Sequence, residues 1–87
     1  MTDLRVLILS ALEDRPLPRH LDIRVPGDSL ERRLHGKATV FDVARGIAEC
    51  QSGPWPLIEA IGGGFYRLTE AGRAQLGWYR WSEQAAG

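Results

Sequence analysis

The sequence predicts a small α+β domain: three clustered helices, a two-stranded β-hairpin and a C-terminal helix. Three observations carry that expectation. Apolar residues recur at helical spacing in four separate segments. Two short apolar runs flank the glycine triplet 62–64. No repeat and no low-complexity linker divides the 87 residues, so they form one domain. At 9.7 kDa the chain lies near the small end for a self-sufficient core, and a dimer would enlarge that core.

The first helix is expected over residues 3–13. Thr2 stands as its N-cap, and Asp3 lies in the first turn, where the helix dipole favours an acid. Leu4, Leu7, Ile8 and Leu12 form its apolar face, and Pro16 and Pro18 follow its end. In RPLPRHLDIRVPG the alternation Leu21, Ile23, Val25 predicts a short extended segment, and Pro26-Gly27 a turn. Asp28 or Ser29 caps a short second helix over residues 29–35, with Gly36 in the C′ position.

Thr39, with Asp42 three residues on, caps a third helix over residues 40–51. Val40, Val43, Ala44 and Ile47 form its inner face, and Gly46 inside it permits a close helix crossing. The break SGPWP precedes a strand over residues 57–61, and a second strand runs over residues 65–69. Thr69 ends that strand and caps the last helix, which carries Ala71, Ala74, Leu76, Trp78, Tyr79 and Trp81. The tail over residues 84–87 is expected to fray.

Composition removes several function classes. Lys plus Arg and Asp plus Glu both total 11, so the net charge is zero and no basic excess coats the surface. Ten of the eleven cations are Arg, which suits planar recognition of phosphate or guanine. The single cysteine, Cys50, forbids an intrachain disulfide and suits a reducing, cytoplasmic setting. His20 and His35 have no nearby ligand cluster, so no metal or cofactor is expected. The run LRVLILSAL is far too short to cross a membrane and lacks a basic leader. Gly62–Gly64 is not followed by Gly-Lys-Ser/Thr, which argues against a P-loop. Ser10, Ser29, Ser52 and Ser82 lie in no nucleophile elbow and the carboxylates are scattered, so no catalytic residue and no enzyme is expected.

Leu57-Ile58-Glu59, the glycine triplet and Tyr66-Arg67-Leu68-Thr69-Glu70-Ala71-Gly72-Arg73 together resemble the winged helix-turn-helix superfamily, most nearly the MarR- and PadR-like bacterial regulators. The likeness covers residues 57–76 closely and 29–81 more loosely. SGPWP is bulkier than the usual turn before the wing, and Arg32 and Arg33 stand where such helices often carry a small residue. The resemblance implies a transcriptional regulator whose partner is double-stranded DNA. Helix 3 would enter the major groove, with Ala38, Thr39, Phe41, Asp42, Arg45 and Glu49 outward. Lys37 and Thr39 would meet phosphate and Arg45 a guanine edge. Gly63 would form the wing tip, Arg67 would reach the backbone or minor groove, and Arg32 and Arg33 would add to the contact face.

Each of these residues also has a plainer role. The glycine turn suits any hairpin, Arg45 lies between Asp42 and Glu49, and Arg32 and Arg33 suit a solvated face. Trp78 and Trp81, with Leu4, Leu7 and Tyr79, are expected at a homodimer or partner interface; core packing or a ligand pocket are the other readings. Cys50 is expected as a small buried hydrophobe, with a redox sensor as the other reading. The competing function is a winged-helix protein-interaction module, an adaptor, subunit or inhibitor, that binds no DNA. Charge geometry separates the two: cations gathered on one face favour DNA, and carboxylates interrupting that face favour a protein partner.

Overall fold

The computed structural model describes residues 3–86; Met1, Thr2 and Gly87 lie outside the described residues, and with them the expected Thr2 cap. Four helices and a three-stranded antiparallel sheet form the domain, an arrangement compatible with a winged helix. Helix α1 spans Leu4–Ala11, and Asp3 caps it by accepting from the Arg5 N–H at 2.9 Å. It stops two residues short of the expected end, where the Glu13 N–H has already turned back to the Ser10 carbonyl. Ile8, Leu9, Ala11 and Leu12 are buried along its inner side.

Strand β1 is the two residues Leu17–Pro18, not the expected 21–25 segment. The two prolines explain the shift. Leu17 precedes Pro18, and a residue before proline is driven out of the helical region toward an extended backbone. Proline is tolerated at a sheet edge, where its missing N–H costs no ladder bond. Residues 21–27 turn instead: the Asp22 carboxylate accepts from the Arg24 N–H at 2.9 Å, and the Asp22 carbonyl from the Val25 N–H at 3.1 Å. Their apolar side chains are left exposed, Leu21 most of all.

Helix α2 is a single turn, Leu30–Arg33, shorter than expected and capped by Ser29, which accepts from the Arg32 N–H. Helix α3 runs over Val40–Gln51 with the expected reciprocal cap: Thr39 Oγ1 accepts from the Asp42 N–H, and Asp42 Oδ2 from the Thr39 N–H, each at 3.1 Å. Val43, Gly46, Ile47 and Cys50 are buried at helical spacing. The expected close crossing at Gly46 is present: a Cβ there would lie 2.3 Å from Ile8 Cδ1 and 3.0 Å from Leu4 Cγ.

Strand β2 (Ile58–Ile61) and strand β3 (Phe65–Leu68) pair in register, Ile58 opposite Leu68 and Ile61 opposite Phe65. A 3-10 turn over Gly62–Gly64 joins them, with φ of 80° at Gly63 and 78° at Gly64, values that favour glycine. The expected two-stranded hairpin has a third member, because β1 lies along the outer side of β3 and gives the order β1-β3-β2. Helix α4 spans Glu70–Ala86, so the expected fraying does not extend to residues 84–86. Thr69 Oγ1 accepts from the Gly72 N–H at 3.0 Å and donates to the Pro56 carbonyl at 2.6 Å. The cap therefore fixes the start of α4 to the chain entering β2. Leu17, Leu30, Leu34, Ile58, Leu68 and Leu76 close one core between the helices and the sheet.

Candidate nucleic-acid interface

Helix α3 turns its inner stripe to the core and leaves Phe41, Ala44, Arg45, Ala48 and Glu49 exposed on the far side. Phe41 is 85% exposed, whereas the large apolar side chains Val43 and Ile47 of the same helix are buried. Thr39 and Lys37, at the start of the helix, are also exposed. Lys37 and Arg45 share a shallow depression with Asp3 and Asp42, formed where the starts of α1 and α3 meet. Arg45 donates to Asp42 Oδ1 at 3.0 Å. The Asp42 carboxyl is held below its ordinary value, chiefly by the backbone and side-chain hydrogen bonds to Thr39, so it stays charged beside Arg45. Lys37 makes no ion pair among the described residues.

The hairpin tip at Gly62–Gly64 is exposed. Arg67 stands on β3 and donates to Glu59 directly across on β2. A second groove runs beneath it, lined by Trp55, Glu59, Arg67, Thr69, Glu70 and Arg73. Arg73 was missed by the sequence reading, although the cap at Thr69 puts it in the first turn of α4, beside the hairpin. Carboxylates thus interrupt both parts of the surface, Asp42 at α3 and Glu59 at the hairpin.

Arg32 and Arg33 serve the fold. Arg32 donates to the carbonyls of Ile23 (2.7 Å) and Val25 and holds the 21–27 turn in place. Arg33 donates to Asp28 Oδ2 from Nε and Nη2, and to the Ala11 carbonyl from Nη1, all within about 3.0 Å. It ties the start of α2 to the end of α1. With Arg33 first and Arg15 second, this pairing lowers the Asp28 carboxyl from 3.8 to about 2. These partners lie 5 to 22 residues away, in the loop before α2 and at the end of α1, so no local signal in Glu31-Arg32-Arg33 could reveal them.

The residues expected at an interface divide into two groups. Leu4, Leu7 and Tyr79 are partly buried against the core. Trp78 and Trp81 are 58% and 65% exposed, and Trp55 is 78% exposed. Trp78 meets Tyr79 edge to face at 5.8 Å between centroids. Cys50 is fully buried, and burial pushes its thiol up to about 11, which keeps it protonated and unreactive. Among the described residues there is no cluster of three His, Cys, Asp or Glu side chains that could hold a metal ion, and no helix is long and apolar enough to cross a membrane. No protein-family model, no curated protein and no solved structure matches the chain.

Proposed function

We propose that the chain is a winged helix-turn-helix DNA-binding protein, a transcriptional regulator of the cytoplasm, with α3 in the major groove and the β2–β3 hairpin as the wing. The observation that carries this reading is the outward face of α3. Phe41, Ala44 and Ala48 are its exposed apolar side chains, and Arg45 is the cation among them. A groove about 12 Å wide admits such a helix, Phe and Ala suit thymine methyl groups, and Arg suits the O6 and N7 edge of guanine. The ion pairs on this surface do not oppose it strongly. Arg45 and Arg67 are both more than half exposed, and pairs of that kind contribute roughly 0–1 kcal/mol, so phosphate or base contacts can replace them. Lys37 and the Thr39 turn would then position the helix start on the backbone.

Selection of bound duplexes from a random pool tests the assignment. A defined motif is expected, and Arg45→Ala should relax it at one base pair at a cost of about 1–3 kcal/mol. A mutant that binds and selects like the parent removes α3 from the groove.

A second reading is favoured by the pairing of Arg45 with Asp42 and Arg67 with Glu59, together with the 78% exposure of Trp55. In it the same surface docks a protein partner, with Trp55 as the aromatic anchor. A chain that enriches no duplex from the pool leaves this reading standing.

A further inference from the structure

Helix α4 carries a surface that the DNA reading does not use. Gly72 and Leu76 are buried and Tyr79 is partly buried, but Glu83, next on the same side, is exposed. The last turns of α4 therefore pass beyond their own core. On the opposite side Ala74, Trp78, Trp81 and Ala85 are all exposed and fall within an arc of about 60° at 100° per residue. Arg80 joins α4 to the chain just after α1 by a two-pronged pair to Glu13, in which Nη2 lies 2.7 Å from Oε1.

The exposed stripe is a palindrome. Its spacings are four, three and four, and its order is small, large, large, small. Rotation about an axis between Tyr79 and Arg80 sets Ala74 on Ala85 and Trp78 on Trp81. The flanking positions mirror each other too, Gln75 on Gln84 and Gly77 on Ser82, and none carries a charge. Spacings of four and three are those of a coiled-coil seam, in which large side chains fill spaces beside small ones.

We infer that α4 pairs antiparallel with α4 of a second copy of this chain, across a two-fold axis at the middle of the palindrome. A closed two-fold contact requires a self-complementary patch, and this stripe is one. The four tryptophans of the pair bring about 150 Å² each, some 600 Å² of the roughly 1,200 Å² at the low end for a specific interface. The alanines, the glutamines and the rest of the two helices supply the remainder. The dimer stands whether or not α3 meets DNA.

Sedimentation equilibrium of the whole chain at high micromolar concentration should give a dimer, and the Trp78→Ser/Trp81→Ser double variant a monomer with the helical circular dichroism of the parent. A parent that stays monomeric, or a dimer that survives the double change, overturns the inference. Direction is read by cysteine pairing, with Cys50 buried and silent. Ala74→Cys mixed with Ala85→Cys should form a disulfide under mild oxidation, and either variant alone should not. Cross-linking of Ala74→Cys with itself would show parallel helices and refute the antiparallel arrangement. This readout leaves both tryptophans in place, so it decides the matter even where the double variant fails to fold.

Discussion

Two glycines of α4 should answer the same substitution with opposite signs. Gly72 lies in the first turn, where a Cβ would come 1.9 Å from the Leu57 carbonyl oxygen and 2.9 Å from its carbon. The obstacle is backbone, so no side chain can swing aside. Leu57 is also held in place: its carbonyl accepts from the Thr69 N–H at 3.1 Å, and its N–H donates to the Cys50 carbonyl at 2.7 Å. Ile58, next to it, is buried in the core. Gly72→Ala must therefore lift the start of α4 or break these bonds. Forcing extra volume into such a contact costs about 1–3 kcal/mol, and the unyielding backbone puts this site at the upper end. A loss of about 2–3 kcal/mol lowers Tm by about 10–20 °C in a domain of this size. At Gly77 nothing lies within 4 Å of the added Cβ. There alanine gains helix propensity, about 0.5–1 kcal/mol, and Tm should rise by a few degrees. Thermal melts followed by circular dichroism, at one low protein concentration, compare the two. A Gly72→Ala chain that melts with or above the parent refutes the packing of α4 on Leu57.

Further outcomes follow from other contacts. Gly46→Ala meets side-chain ends of Ile8 and Leu4, which can yield in part, so denaturant titration should show a smaller loss than at Gly72, about 1–2 kcal/mol. Thr39→Ala removes an acceptor from the capping box of α3 and should cost about 1 kcal/mol by the same titration. Asp28 has a folded pKa depressed to about 2, so its stabilising effect is present above about pH 4 and is lost as pH falls toward 2. Solvent screening of its partly exposed partners reduces this to about 1–2 kcal/mol. Acid titration of Asp28→Asn should therefore lose less stability than the parent over that interval; equal losses would show that the Arg33 and Arg15 pairing contributes nothing.

Where a structural signal was local, the sequence carried it well. Thr39 and Asp42 mark the start of α3 because both halves of the cap lie within four residues, and Ser52-Gly53 breaks the helix at its other end. The glycine triplet marks the hairpin for the same reason. Gly46 was legible as a crossing point because glycine inside a helix is costly unless a neighbour needs the space. Strand β1 was not legible: Leu17–Pro18 is extended because of its prolines and becomes a strand only when β3 arrives beside it. The 21–27 segment misled because the Asp22 turn overrides its alternation and leaves those side chains outside.

The surface residues divide along the same line. Arg45, Lys37 and Arg67 lie exposed on local elements, as their positions implied. Arg32 and Arg33 are taken up by partners 5 to 22 residues away, which only the folded chain brings near. The pairing of Arg67 with Glu59 was readable once the hairpin register was known, since the two stand opposite each other.

Binding to a fluorescent DNA duplex, followed by anisotropy across a salt series, tests the central claim most directly. With Lys37 and Arg67 each on a phosphate and Arg45 on a base edge, log K should fall against log salt with a slope of about −2 per subunit, at about 0.9 for each phosphate contact. Lys37→Ala should reduce that slope by about one. No binding at about 50 mM salt, where phosphate contacts are still strong, would contradict DNA recognition and leave the α3 face to a protein partner.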